Sequence, residues 1–171
     1  MRSEIRSLTE ADLENRPLTQ AIDDLLRRSR RDLLPSDARL EPVEERIAET
    51  SVDPARILAV ALQGKAVTGV VDARFGWPSP RDLTIEHIAV LRALRGQGRG
   101  RALVGAALDV AQSRFGEVDQ LYAAVLQAHG SAAVFWRNLG LCPVGSDPCV
   151  FSGPANPLLP ERTQRHEDMR R

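Results

Sequence analysis

Thr84-Ile85-Glu86-His87-Ile88-Ala89-Val90-Leu91-Arg92-Ala93-Leu94-Arg95-Gly96-Gln97-Gly98-Arg99-Gly100-Arg101 is the stretch that decides the fold. Its first part reads as a strand and its middle as a glycine-rich turn. From about Gly98 a helix begins, with Ala102, Leu103, Ala106, Ala107, Val110 and Ala111 recurring at helical spacing as far as Phe115-Gly116. Strand, glycine turn and helix together make a recipe for binding phosphate. Glycines let the main chain come close to a ligand, and a helix N-terminus offers N–H groups and the positive end of the dipole. Arg92, Arg95, Arg99 and Arg101 surround this terminus. Cations there oppose the dipole, so they make sense if an anion occupies the turn.

Three kinds of phosphate loop compete. A P-loop needs Lys and then Ser or Thr after its last glycine, and Arg101-Ala102 stands there instead. A dinucleotide-binding turn needs Gly-x-Gly-x-x-Gly directly after the strand, with an acid about twenty residues on. Gly96, Gly98 and Gly100 have the wrong spacing, and the elements before them read as antiparallel. The third reading is the pyrophosphate arm of coenzyme A.

Outward from this segment the chain mixes strand and helix. Ile57–Leu62 and Val67–Phe75 read as strands joined by a tight turn at Gln63-Gly64-Lys65, and Gly76-Trp77-Pro78-Ser79-Pro80 as a loop. Upstream, Glu4–Leu8 reads as a first strand, and Thr9 with Asp12 as a weaker form of capping box. Leu18, Ile22, Leu25 and Leu26 predict a helix within residues 18–33. A shorter helix follows near 41–50, framed by Pro35, Asp37 and Pro42, and the cluster Arg27-Arg28-Ser29-Arg30-Arg31 reads as a solvated helix end. Downstream come a strand at Leu121–Leu126, a helix at Ser131–Leu139 closed by Gly140, and strand pieces at Val144 and Cys149-Val150-Phe151. The expectation is one α/β domain over residues 1–151 and a Pro- and charge-rich tail over 152–171 without its own core.

Composition narrows the classes. The chain has 171 residues and is 43% hydrophobic, enough for one domain with a proper core. Lys plus Arg and Asp plus Glu are both 23, a balance that argues against a nucleic-acid binder. Cys142 and Cys149 make neither a disulfide framework nor a metal-site spacing. Met1–Gln20 lacks an apolar stretch and no apolar run approaches membrane-spanning length. A cytoplasmic protein with no membrane or nucleic-acid partner and no metal is expected.

Arg95-x-x-Gly98-x-Gly100 resembles the (Gln/Arg)-x-x-Gly-x-(Gly/Ala) signature of the GNAT superfamily of N-acetyltransferases. Ile88-Ala89-Val90 looks like the strand end that pairs with pantetheine in that family. His129 to Leu141 looks like its later block, usually written Asn-x-x-Ala-x-x-Phe-Tyr-x-x-x-Gly-Phe. The resemblance covers roughly residues 83–145. It implies a GNAT-like mixed, mostly antiparallel twisted sheet flanked by helices, with acetyl-CoA as acyl donor lodged between the strand ending at Val90 and the one starting near Leu121. It places the pyrophosphate on Arg95, Gly96, Gln97, Gly98, Arg99, Gly100 and Arg101, the pantetheine on Ile88, Ala89 and Val90, and a further cofactor contact at His129. Homodimers are common among such relatives, and the tail after Ser152 is a candidate for exchange between subunits.

Several positions depart from the family. Trp136 replaces the tyrosine that often protonates the leaving thiolate, and indole N–H is no useful acid. His129 replaces an asparagine, Ala124 a glutamate that some members use as base, and Leu91-Arg92 stands where a proline is frequent. Catalysis survives these losses on paper, because a thiolate leaves easily and positioning supplies much of the rate. Glu86 is the preferred base, on the strand just before the pantetheine-pairing residues. Strand alternation places His87 on the opposite face, as a structural histidine. Trp136 is expected to pack beside the thioester end.

For the acceptor, residues near 26–46 and the Gly76–Asp82 loop are the expected walls, with Phe75 and Trp77 as apolar surface and Asp37, Glu41, Asp72 and Asp82 as candidate partners of a cationic amine. The favoured reading is an N-acetyltransferase acting on a small-molecule primary amine. Alternatives are a protein lysine or N-terminal acetyltransferase, and a non-catalytic acyl-CoA-binding module, which the changes at Ala124 and Trp136 make conceivable.

Overall fold

Gly64, at φ +61°, turns the chain between two long strands, β2 (Arg56–Gln63) and β3 (Ala66–Phe75), which pair antiparallel from Arg56↔Arg74 to Gln63↔Ala66. Side chains alternate across this hairpin. Ile57, Ala59, Ala61, Val71 and Ala73 enter one core cluster, while Leu58, Val60 and Val70 enter another. Both faces are therefore covered, which is why these strands read as near-continuous apolar runs. The computed structural model describes residues 4–30, 41–125 and 130–158.

The remaining strands are β1 (Glu4–Ser7), β4 (Leu83–Val90), β5 (Gln120–Ala124), β6 (Cys142–Val144) and β7 (Asp147–Pro154). They complete a seven-stranded sheet in the order β1-β2-β3-β4-β5-β7-β6. Every neighbouring pair is antiparallel except β4 and β5, which run parallel. The helices are α1 (Arg16–Arg30), α2 (Val43–Val52), α3 (Arg99–Phe115) and α4 (Gly130–Asn138). Leu18, Ile22, Leu25 and Leu26 of α1 and Val43 and Ile47 of α2 cover one face. Leu103, Val104, Ala107, Leu108 and Ala111 of α3 cover the other, together with Trp136 of α4. The mixed, mostly antiparallel sheet flanked by helices is the α/β fold expected from sequence.

Some boundaries differ. Thr9 and Asp12 do not start the first long helix. Thr9 N–H donates to Asp12 Oδ2 at 2.9 Å and caps a separate 3-10 turn over Glu10–Glu14. The last strand passes Phe151 and brings Ser152, Gly153 and Pro154 into register with Tyr122, Leu121 and Gln120 of β5. Ala155 and Leu158 are then buried in the α3-side core. Gly153 is required there, since a Cβ would lie 3.0 Å from Gly140 O. Among the described residues, no helix is long and apolar enough to cross a membrane.

One irregularity matters most. β3 and β4 pair Asp72↔His87 and next Ala73↔Ile85, so Glu86 is an extra residue on β4, a β-bulge. Leu83 and Ile85 before it, and Ile88 and Val90 after it, face the α3-side core, and Ala89 faces the α1/α2 side. Glu86 and His87 therefore lie consecutively on the α1/α2 face. The alternation that puts His87 on the opposite face from Glu86 is corrected by this bulge.

Candidate active site

The glycine turn is built by backbone conformation. Gly96 and Gly98 sit at φ +74° and +75°, and a Cβ on either would meet nothing within 4 Å. The turn therefore opens outward. Gly98 is the N-cap of α3 and brings no side-chain hydrogen bond, and its carbonyl accepts from Ala102 N–H at 3.0 Å. A helix that starts without a capping side chain suits an anion at its N–H groups. Gly100 is needed for a different reason: a Cβ there would lie 2.8 Å from Cε2 of Phe135 on α4. Arg95 folds back, its Nε donating to Val90 O at 3.1 Å, and Gln97 Nε2 donates to Ala93 O at 3.3 Å. Arg95 to Arg101 thus form one continuous lip, and its open glycine cradle fits a pyrophosphate.

The lip lies at the end of a cleft in the sheet. β4 and β5 pair only from Leu83↔Leu121 to Ile85↔Ala123. Ile88, Ala89 and Val90 pair with Val71, Val70 and Gly69 of β3. Among the described residues, their other edge has no strand partner. That edge is what an extended ligand arm needs to add itself as a strand. His129, the remaining cofactor candidate, lies outside the described residues, as does Asp37.

Glu86 is the first β4 residue beyond the β5 ladder. Its Oε1 accepts from Arg74 Nε at 3.2 Å, and Arg74 also pairs with Asp53. Beneath it lies a buried charge network. Asp72, 1% exposed, accepts from Arg46 Nη1, from Arg56 Nε at 3.1 Å and from Arg56 Nη2 at 2.8 Å. Arg46 Nη1 also lies 2.9 Å from His87 Nδ1, and His87 Nδ1 is 3.7 Å from Asp72 Oδ2. Glu49 and Glu41, both part-exposed, complete the partners of Arg56. Burial pushes the Asp72 carboxyl up, but the hydrogen bonds and charges of the Arg56 and Arg46 guanidiniums outweigh it and hold it well below the usual carboxylate range. Burial likewise opposes the charge of Arg56, while Asp72, Glu49 and Glu41 more than restore it, so its guanidinium stays firmly protonated.

Several expected acceptor residues do other work. Asp72 is committed to two guanidiniums and is no free anion for an amine. Glu41 leans on Arg46 and Arg56. Phe75 stacks on Phe115 of α3, with centroids 4.5 Å apart and planes within 6°, so it belongs to the face opposite Asp72 and forms no wall with Trp77. Trp77 is 59% exposed and Asp82 is buried. Trp136 is buried against Phe135, edge to face at 4.7 Å, as a packing residue. Asp72, Glu86 and His87 bring ligand-type atoms within 4.8 Å of one another. A metal ion among them would meet the charges of Arg46 and Arg56, so the cluster is an ion-pair network by chemistry. Sequence reading missed Arg46 and Arg56. Arg46 lies beside Val43 and Ile47 on the inner stripe of α2, and Arg56 precedes an apolar run.

Comparison with known proteins agrees with this fold. The acetyltransferase (GNAT) family pattern matches residues 19–141. Solved structures of similar fold include an acetyltransferase from Thermus thermophilus, with 22% identity and TM-score 0.65 over 90% of this chain and 97% of that one. A PaiA N-acetyltransferase from Thermoplasma acidophilum, in complex with coenzyme A, gives 13% identity and TM-score 0.68 over 90% and 99%. A phosphinothricin acetyltransferase from Sinorhizobium meliloti, in complex with AcCoA, gives 21% identity and TM-score 0.64 over 90% and 89%. No curated protein matches the sequence.

Proposed function

We propose that this chain, which belongs to the acetyltransferase (GNAT) family, is an acyltransferase that moves an acetyl group from acetyl-CoA to the primary amine of a small molecule. The observation that carries this reading is the place of Glu86: a carboxylate on a bulge where β4 leaves β5, one stride from the open edge Ile88–Val90 and in line with the glycine lip. Acetyl-CoA supplies the thioester. Main-chain groups of Ile88 to Val90 hold its pantetheine arm, and Arg95 to Arg101 hold its pyrophosphate. His129 is the further cofactor contact of the resemblance.

Glu86 takes the proton that keeps the amine from attacking. The nitrogen–carbonyl bond forms and the carbon–sulfur bond breaks; the nitrogen gives up a second proton and the departing sulfur gains one, leaving an amide and a free thiol. A neutral nitrogen and a good leaving group need little else, which fits a site with Trp136 and Ala124 where other acids and bases are frequent. The part-exposed carboxylates Glu49, Asp53 and Glu86, gathered by Arg56 and Arg74, support a cationic amine as acceptor.

Glu86→Gln tests this. Turnover, read as thiol release over a panel of amines, should fall by about 10²-fold or more, while calorimetric affinity for acetyl-CoA stays as in the wild type. Undiminished turnover removes Glu86 as the base. No acetyl-CoA binding by the wild type removes the function.

A further inference from the structure

The β4 bulge brings an imidazole and a carboxylate side by side on the acceptor face, and an imidazole is the ordinary first choice for taking a proton near neutral pH. The contacts of His87 decide against it. Arg46 Nη1 carries two hydrogens and faces two acceptors, Asp72 Oδ2 and His87 Nδ1, the latter at 2.9 Å. A guanidinium only donates, so Nδ1 must present its lone pair. The competing arrangement, Nδ1–H donating to Asp72, spans 3.7 Å and is too long for a hydrogen bond. An imidazole that accepts at Nδ1 carries its hydrogen on Nε2 and is uncharged.

Arg46 cannot easily turn away. Its side chain is 4% exposed, its Nε donates to Glu41 O at 3.2 Å, and Asp72 holds its other end. Asp72 is in turn held by Arg56 of β2. The charged groups around His87 include Arg46 from α2, Asp72 from β3 and Glu86 on its own strand. Arg56, Arg74, Glu41 and Glu49 lie one contact further out. Protonating Nδ1 sets an N–H against an N–H and a second cation beside a buried one.

We propose that Arg46 is a positioning residue that fixes His87 as the uncharged, Nε2-protonated imidazole, so that the proton leaving the acceptor amine passes to the Glu86 carboxylate and not to His87. The proton's destination rests on the reading of Glu86 as base; the state of His87 does not. The transfer balances within the pair: the amine nitrogen loses one proton and the Glu86 carboxylate becomes a carboxylic acid.

The test is the histidine ring spectrum of the full chain labelled with ¹⁵N. His87 is identified among the three histidines by the signal lost in His87→Gln. The wild type should show a single tautomer, Nδ1 bare and Nε2 protonated, with and without acetyl-CoA. Arg46→Met should convert it to a mixture of tautomers, and Arg46→Lys, which keeps a cationic donor, should restore the single tautomer. A protonated Nδ1 in the wild type overturns the proposal, and that reading needs no variant to fold. An unchanged His87 spectrum in Arg46→Met overturns it equally. Full turnover by Glu86→Gln with the wild-type tautomer intact overturns only the proton's destination, which separates the two failures.

Discussion

Asp72→Asn keeps the size of the side chain and removes the fully buried negative charge between two buried guanidiniums. Arg46 and Arg56 are each 4% exposed and Asp72 is 1% exposed, so water cannot replace what is lost. The amide also turns donor hydrogens toward groups that only donate. Breaking one partner of a buried ion pair costs about 3–5 kcal/mol. Arg56 keeps Glu49 and Glu41 at its part-exposed end, which places the expected loss at the lower end, about 3–4 kcal/mol. Against a total of about 5–15 kcal/mol this is a large fraction. With a urea slope of about 2 kcal/mol/M, the unfolding midpoint should drop by about 1.5–2 M.

The same pair of proteins carries a pH signature. The folded-state pKa of Asp72 lies below its ordinary value of 3.8. Above that value both folded and unfolded chains are ionised, and the contribution of Asp72 is fully present. As pH falls below it, the unfolded chain takes the proton first, and the contribution fades toward the folded-state value. The gap between wild type and Asp72→Asn should therefore be constant near neutrality and shrink below about pH 4. Asp12, which the Arg6 hydrogen bond also holds low, is common to both proteins and cancels. A gap under about 0.5 kcal/mol, within the range of an ordinary surface change, or one that stays constant down to acid unfolding, refutes the buried network as a source of stability.

Gly98→Ala should fold with a loss of about 1 kcal/mol, the strain of a methyl-bearing residue at φ +75°, since its Cβ meets nothing within 4 Å. Its acetyl-CoA affinity by calorimetry should fall by about tenfold or more, because the methyl enters the space of the ligand; unchanged affinity removes the lip as the pyrophosphate site. Leu158→Ala, at a residue 6% exposed in the α3-side core, should cost about 2–4 kcal/mol in urea unfolding, and a neutral result would mean that the chain after Pro154 adds nothing to the core.

Features whose signal is local were legible in the sequence. The turn at Gly64, the strand ending at Val90, the glycine lip and the periodicity of α3 each depend on a few neighbouring residues, and the fold class followed from their order. Features that depend on register were not. Alternation places His87 on the face opposite Glu86, but it holds only where no residue is extra. Phe75 looked like an acceptor wall until the α3 face claimed it for Phe115. Arg46 and Arg56 do not stand out, because nothing nearby in sequence names Asp72 as their partner. Residues 152–158 looked like tail because Pro and Gly hid a strand whose partner, β5, lies some thirty residues earlier.

The misses at His87 and Arg46 share one cause. The extra residue Glu86 lies where the β4–β5 ladder ends, leaving the β5-facing edge of Ile88–Val90 without a strand partner among the described residues. The same residue puts two consecutive polar side chains on a face that α1 and α2 cover. A covered polar face must be satisfied from the sheet beneath and the helix above. Asp72 and Arg46 do so, one from β3 and one from α2. The contact of Arg46 with His87 is thus a consequence of the bulge, which lies where the open edge begins and carries the proposed base. A variant that deletes Glu86 would restore alternation along β4 and remove the Glu86 carboxylate, while His87, then between Ile85 and Ile88, would stay on the α1/α2 face beside Asp72 and Arg46.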